Sequence, residues 1–195
     1  QYAETCRFIL SCNYSSKIIE PIQSRCAVFR FRPLPEDQVR DMIVNVAREE
    51  KIELHSEAAD AIVHVSLGDL RKAITSLQVA ASLDSNVTRE LIYETTATAP
   101  PEELHGYFLA CQQDGFQPAR RRLRELLDRF GLAGTDLVNQ LHRELGSVTF
   151  FDEHQKLKVT EVMAETDFRM VEGGGESLQL DAMTAMICSK INQEQ

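Results

Sequence analysis

The sequence lacks the features that mark membrane, secreted or metal-binding proteins. No apolar run approaches the roughly 20 residues that a helix needs to cross a bilayer, and no signal-peptide pattern opens the chain. The five cysteines are scattered and include no C-x-x-C pair, which predicts reduced thiols in an intracellular protein and no zinc site. The five histidines are isolated from one another, so their spacing predicts neither a metal site nor a Ser–His–Asp arrangement.

A net positive charge is also missing. Lysine and arginine number 21 against 30 aspartates and glutamates, and the formal net charge is −9. The chain as a whole is therefore not predicted to be a basic nucleic-acid-binding surface. The only basic run comprises Arg120, Arg121, Arg122 and Arg124. Glu125 and Asp128 lie four residues after Arg121 and Arg124, which favours a solvated helix face with i,i+4 pairs over contacts to nucleic acid.

Two proline-containing breaks, at residues 33–35 and 97–101, divide the chain into three segments. The composition is that of an ordinary soluble globular protein, with 43% hydrophobic and 26% charged residues among 195. In the first segment, residues 6–12 and 27–31 are predicted strands, joined by a helical crossover over residues 17–23. Two such strands cannot close a core alone, so the segment is predicted to be a remnant of a larger α/β domain or to borrow a partner.

Beyond the first break, apolar residues recur with the 3.6-residue period of a helix, which predicts two helical domains. Helix N-caps are predicted at Ser56, Thr88 and Thr135. Gly131 is predicted to end a helix in the left-handed conformation. The last two helices are predicted over residues 153–171 and 178–191, separated by three glycines.

The third segment carries adjacent large apolar residues that cannot all point into one core. They are Tyr107 with Phe108, Phe150 with Phe151, and Met183 with Met186 and Ile187. This excess predicts a self-association interface beyond about residue 100. The alternative is a small helical bundle that buries a wide apolar stripe.

Three polar residues stand where strands end and helices begin. Asn13 follows the first predicted strand, Arg25 precedes the second in a Ser-Arg-Cys triplet, and Arg71 opens a helix. One amide and two guanidiniums are the groups expected around the terminal phosphate of a nucleotide. Each also has a simpler interpretation, since Asn13 suits a turn and Arg25 suits an exposed surface. A cation in the first helical turn opposes the helix dipole, so Arg71 could instead pair with Asp69.

These motifs resemble those of the replication factor C small-subunit family, the AAA+ sliding-clamp loaders of archaea and eukaryotes. Residues 12–26, CNYSSKIIEPIQSRC, are similar to the family's sensor 1 and Ser-Arg-Cys region. Residues 68–78, GDLRKAITSLQ, are similar to its sensor 2 helix, and residues 167–183 to the end of the archaeal-type collar. The family's P-loop is not found, because Gly173–Gly175 is followed by no lysine. The P-loop and the acidic metal-binding strand are expected upstream of Gln1, so the chain is expected to be a C-terminal fragment.

The resemblance implies a mainly α fold in three parts. Residues 1–33 would be the end of the α/β AAA+ core, residues 34–98 a helical lid and residues 99–195 a helical collar that holds subunits in a ring. Asn13 would be sensor 1, which orients the attacking water, and Arg25 the arginine finger, which acts on ATP held by the neighbouring subunit. Arg71 would be sensor 2, which contacts the γ-phosphate bound by its own subunit.

The function that the resemblance implies is ATP-dependent loading of a sliding clamp onto primer–template DNA during replication. ATP and Mg²⁺ would be used by the full-length ATPase, whereas this fragment alone is expected to be inactive and to bind neither, and no resident metal is expected. Expected partners are large and small loader subunits through the collar, the sliding clamp, and DNA through the whole assembly, in the cytoplasm or, in a eukaryote, the nucleus. No membrane partner is expected. The alternative is a helical oligomerisation module in which Asn13, Arg25 and Arg71 have no nucleotide role.

Overall fold

A computed structural model describes residues 6–192 and divides the chain into two units, Gln1–Pro33 and Leu34–Gln195. In the described residues the protein is mainly helical, with ten α-helices and one small parallel sheet. None of the helices described is long and apolar enough to cross a membrane. The predicted helical class is confirmed.

Within residues 6–33, the part of the first unit that the structure describes, the regular elements are short and helical. A 3₁₀ turn, Ser15–Lys17, is followed by helix α1, Glu20–Gln23, with Pro21 in its first turn. The Gln23 amide donates a hydrogen bond to the Ser15 carbonyl at 2.9 Å and so ties the two elements together. The helical segment predicted at residues 17–23 is present in this short form, but it joins no strands in the described part of the unit.

The two strands predicted in the first unit, at residues 6–12 and 27–31, do not form in the part of the unit that is described. The prediction of strands was wrong because a strand needs a hydrogen-bonded neighbour, and these two segments do not pair with each other. Their apolar side chains are accordingly exposed: Ile9 is 97% and Phe31 96% accessible to solvent. The sequence pattern is that of a buried sheet, but the described residues of this unit form no core that covers it.

The second unit begins with four helices and a minimal sheet. The helices are α2 (Glu36–Glu49), α3 (Ser56–Ser66), α4 (Leu70–Leu83) and α5 (Arg89–Thr95). Strands β1 (Glu53–Leu54) and β2 (Asn86–Val87) pair in parallel, with Glu53 opposite Asn86 and Leu54 opposite Val87. The sheet was not predicted, because strands of two residues are too short to show the alternation of apolar and polar residues that is typical of a strand.

Small and branched residues set the spacing of these four helices. Helix α2 buries Val39, Ile43 and Ala47, which lie four residues apart on one face. Helices α3 and α4 contribute several alanines to the same core, among them Ala58 and Ala73, and these small side chains let the helix backbones pack closely.

Five further helices complete the second unit: α6 (Pro101–Gln113), α7 (Phe116–Phe130), α8 (Gly134–Leu145), α9 (Glu153–Val171) and α10 (Glu176–Asn192). Helices α9 and α10 form a hairpin, in which Lys190 Nζ lies 2.7 Å from Glu161 Oε2. Helix α6 contacts α7, α8 and α10 and so lies at the centre of this bundle.

The adjacent apolar residues predicted to form an interface are instead mostly core. Tyr107 and Phe108 are fully buried, and the Tyr107 hydroxyl lies 3.1 Å from Thr184 Oγ1. Phe151 is also buried, with its ring centre 5.7 Å from that of Phe108. The prediction that they spill onto the surface was wrong, because α6 is surrounded by three other helices and buries more than one face, and because the loop before α9 folds Phe151 onto Phe108. The side chains of Met183 and Ile187 are buried as well, and Phe150 and Met186 are partly buried.

The basic run on α7 forms ion pairs between helices. Arg120 makes a two-pronged contact with Asp181 of α10, with Nε–Oδ1 at 2.8 Å and Nη2–Oδ2 at 2.7 Å. Arg124 reaches the same carboxylate at 3.1 Å, and Arg122 lies 3.7 Å from Glu103 of α6. The predicted i,i+4 pairs within α7 are not among the ion pairs of the described residues. Three of the four arginines of this run therefore have an acidic partner within the bundle.

Candidate functional site

The start of helix α4 positions Arg71. Leu67 and Gly68 both have positive φ, 54° and 79°, and this double left-handed turn separates α3 from α4. Asp69 then caps α4, its Oδ1 accepting hydrogen bonds from the amides of Arg71 at 2.9 Å and Lys72 at 3.1 Å. Arg71 is thus fixed in the first turn of a well-capped helix.

The Arg71 guanidinium is exposed and has no ion-pair partner among the described residues. The Asp69 carboxylate, which the sequence offered as its local partner, binds backbone amides instead. Because those amides are already satisfied, an anion arriving at this helix end would meet the guanidinium rather than the backbone. The geometry therefore leaves Arg71 available for an external anion.

Arg25 lies just beyond helix α1 and is exposed. Its Nη1 donates a hydrogen bond to the Pro21 carbonyl at 2.7 Å, and the neighbouring Ser24 hydroxyl contacts the same oxygen at 3.3 Å. One side of the guanidinium is thus held against α1, which limits the directions in which the rest of the fork can point.

Asn13 lies exposed in a bend that follows residues 6–12. The next residue, Tyr14, is in extended conformation and precedes the 3₁₀ turn. Asn13 and Arg25 belong to the first unit and Arg71 to the second. Across the described residues, no group of three or more histidine, cysteine, aspartate or glutamate side chains could hold a metal ion.

A polar cluster that the sequence did not reveal joins α3, α6 and α8. Glu144 of α8 lies 3.2 Å from His64 Nε2 of α3 through one carboxylate oxygen, and 3.6 Å from His105 Nε2 of α6 through the other. Ser147 Oγ lies 2.9 Å from His105 Nε2 and 3.4 Å from Glu144 Oε2. The His64 Nδ1 atom is buried without a hydrogen-bond partner in the structure as described. Sequence spacing gave no signal for this cluster, because its members lie far apart along the chain.

An ion pair lies close to this cluster. Arg89 of α5 contacts Glu102 of α6 at 2.6 Å, and the hydrogen bond with Glu102 raises the pKa of Arg89. Burial raises the pKa of Tyr93, whose ring stands edge-on to His64 with ring centres 6.0 Å apart. Tyr93 therefore remains a neutral phenol, and the Arg89 guanidinium lies over its ring.

Family models and curated proteins provide an independent comparison. Residues 99–186 match the family model described as replication factor C C-terminal domain, and residues 41–82 match RCF1/5-like, AAA+ ATPase lid domain. The chain is 42% identical to the replication factor C small subunit of Methanocella arvoryzae, over 95% of this chain and 57% of the relative. It is likewise 42% identical to that of Archaeoglobus fulgidus, over 95% of this chain and 58% of the relative. The chain thus spans little more than half the length of these relatives.

Proposed function

Because this chain belongs to the replication factor C small-subunit family, we propose that it provides the lid and collar of a subunit in an ATP-driven sliding-clamp loader. The observation that carries the proposal is the 42% identity to a small subunit along 95% of the chain. The whole subunit, with ATP and Mg²⁺, would open a sliding clamp and place it on primer–template DNA together with large and small partner subunits.

We propose the same three-part organisation that the resemblance implies. Residues 1–33 would end the ATPase core, residues 34–98 would form the lid, and residues 99–195 would form the collar. The matched regions, 41–82 and 99–186, support the last two assignments. The exposed apolar side chains of the first unit, such as Phe29 and Phe31, support the first, because a larger sheet would cover them.

Arg71 is proposed to contact the terminal phosphate of ATP bound to its own subunit. Its exposure and its lack of an ion-pair partner among the described residues support this role. Asn13 is proposed to orient the attacking water, since an amide can hold water without titrating. Arg25 is proposed to act across the subunit interface on the neighbour's ATP, where its permanent charge offsets the charge that develops during phosphoryl transfer.

The test is a substitution of Arg25 in the full-length assembly. Arg25→Ala is expected to leave ATP affinity nearly unchanged and to reduce turnover on the order of a thousandfold, because a trans arginine acts on the transition state. Arg30→Ala is the matched control, since Arg30 is another exposed arginine of the same unit, and it should leave both quantities unchanged.

Mixing experiments separate a trans role from a structural one. Arg25→Ala subunits combined with subunits that lack a working P-loop but keep Arg25 should recover part of the ATPase activity, because each supplies what the other lacks. An intact assembly that recovers no activity in any mixture would show that Arg25 is structural.

A second candidate function is a pure assembly module, and the outer face of α9 favours it. Helix α9 buries Val159, Val162 and Met163, while the opposite side exposes Phe168 at 61% and Val171 at 69%. We call the exposed residues Leu157, Phe168 and Val171 the α9 outer stripe, because they fall along one line of the helix. A helix with apolar residues on two opposite faces suits a bundle with a further partner.

The partner proposed for the α9 outer stripe is the collar of the neighbouring subunit. A ring contact is heterologous, so the stripe would meet a different face of the next collar. The two candidate functions predict different effects of Arg25→Ala on the ATP turnover of the full-length assembly. If the chain acts as a loader subunit, turnover falls. If it is purely an assembly module, turnover is unchanged.

A further inference from the structure

Helix α8 holds the short linker between the lid and the collar through Gln140. Its Oε1 accepts a hydrogen bond from the Ala99 amide at 2.9 Å, and its Nε2 donates one to the Ala97 carbonyl at 3.1 Å. Gln140 is only 5% exposed and Ala99 is fully buried. Both ends of the amide are thus satisfied by linker backbone, away from competing water.

The linker itself is strained at one residue. Ala97 has φ of 46°, in the left-handed region that side chains with a Cβ avoid. Such conformations persist only where the surroundings impose them, and they concentrate in segments that move or bind. Here the Ala97 carbonyl is one of the two groups that Gln140 holds, and the next residue, Thr98, is held by a hydrogen bond from its amide to the Tyr93 carbonyl.

One turn further along α8, Glu144 makes a weaker contact with the lid. Since a carboxylate only accepts, the His64 Nε2–H donates the bond to Glu144 Oε1, at 3.2 Å. His64 is 31% exposed in its side chain, so water competes for this bond. The bond also holds His64 where its Nδ1 is buried and unsatisfied, and release of the ring would let that nitrogen reach water.

Breaking the contact with His64 would not leave Glu144 without partners. Its second oxygen lies 3.6 Å from His105 Nε2 and 3.4 Å from Ser147 Oγ, and both of these residues belong to the collar. Other connections near the linker are the contact of α5 with α7 and the pair between Arg89 and Glu102. The side chains of this pair are exposed by 30% and 57% and are screened by solvent.

We propose that the lid turns relative to the collar about the linker at residues 96–100, with Gln140 as the pivot and the His64–Glu144 hydrogen bond as a latch that opens. The pivot persists because it is buried and satisfied at both ends. The latch opens because its bond is partly exposed, its loss frees a buried nitrogen, and the Glu144 carboxylate keeps its collar contacts.

Distance measurements between spin labels on the lid and the collar test the latch. Labels at the exposed residues Gln78 of α4 and Gln117 of α7 report on lid and collar, after the exposed cysteines are replaced by serine. Glu144→Ala and His64→Phe should widen the distance distribution about twofold or add a second distance, because each removes one partner of a 3.2 Å contact. Glu144→Gln keeps an acceptor and should resemble the unsubstituted chain, as should the control Glu94→Ala on the lid surface.

Amide hydrogen exchange at Ala99 tests the pivot in the same chains. Gln140→Ala should speed exchange of the Ala99 amide about tenfold, because it removes the acceptor. Glu144→Ala should leave that exchange unchanged while it alters the label distances. Unchanged distances in both Glu144→Ala and His64→Phe would overturn the latch. Fast Ala99 exchange in Glu144→Ala would overturn the separation of pivot and latch.

Discussion

Asp69 stabilises the start of helix α4 with a single carboxylate oxygen that accepts two backbone hydrogen bonds. Asp69→Ala is expected to lower the free energy of unfolding by about 1 kcal/mol, because the first-turn amides lose their acceptor. Asp69→Asn is the control, since asparagine caps helices about as well. Urea denaturation would measure both, and equal losses in the two variants would show that the charge, not the cap, is what matters.

Asp181 makes the stability of the α7–α10 contact depend on pH. Its hydrogen bonds with Arg120 lower the pKa of the carboxyl below its usual value. A lowered pKa means that the stabilisation is fully present above the pKa of the unfolded chain and is lost as pH falls through that of the folded protein. The stability difference between the unsubstituted chain and Asp181→Asn should therefore shrink on acidification from pH 7 to pH 3. A difference that stays constant in denaturant titrations across this range would contradict the assignment.

At the scale of elements, the turn between α9 and α10 assigns different roles to its three glycines. Gly173 has φ of 95°, and a Cβ on Gly174 would lie 2.7 Å from the Arg169 carbonyl oxygen, whereas a Cβ on Gly175 would meet nothing within 4 Å. Gly173→Ala and Gly174→Ala are each expected to destabilise the protein by about 1 kcal/mol or more. Gly175→Ala should change stability by less than about 0.5 kcal/mol. Thermal unfolding of the three variants checks this order, which a costly Gly175→Ala would contradict.

Helix boundaries were predictable where local chemistry decides them. Helix α9 occupies Glu153–Val171 as predicted, because Asp152 and Gln155 form a reciprocal capping box at its start. Thr88 also caps α5 as predicted, by accepting from the Leu91 amide. Gly131 ends α7 with φ of 62°, in the left-handed conformation predicted for it.

Where tertiary contacts decide the boundaries, the predicted positions were wrong. Ser56 was predicted to cap α3, but His55 precedes the helix in extended conformation, because its amide bonds the Val87 carbonyl beside the small sheet. Thr135 was predicted to cap α8, but the helix begins at Gly134. Gly134 fits there because a Cβ would lie 2.6 Å from the Glu176 side chain, a contact that only the folded bundle creates.

At the scale of the whole molecule, the sequence predicted candidate site residues through motifs and missed those that depend on folding. Asn13, Arg25 and Arg71 lie in short stretches whose amino-acid sequence resembles motifs of a family, and their roles stay predictions. His64 and Glu144 lie 80 residues apart, and neither carries a local pattern. The fold alone brings their side chains within 3.2 Å of each other, and no periodicity reveals this contact.

The α9 outer stripe makes a prediction about assembly. Replacement of Phe168 and Val171 by serine in the full-length subunit should weaken subunit association about tenfold or more, because both side chains lie on the proposed interface. Leu83→Ser is the control, since Leu83 is 68% exposed on α4. Light scattering over a concentration series would measure the change. Association that is unaffected by the paired substitution, with the fold intact, would exclude this face from the ring.

The exposed backbone and aromatic side chains of residues 6–33 have a practical consequence for anyone who handles this chain by itself. Extended segments without strand partners can pair with those of other molecules, and Phe8, Ile9, Phe29 and Phe31 give them apolar surface to bury. Such pairing has no fixed stoichiometry, and its extent increases with time and protein concentration. It therefore produces turbid aggregates rather than closed rings of subunits. A sample that starts at Leu34, where the second unit begins, should stay clear at concentrations at which the longer chain precipitates.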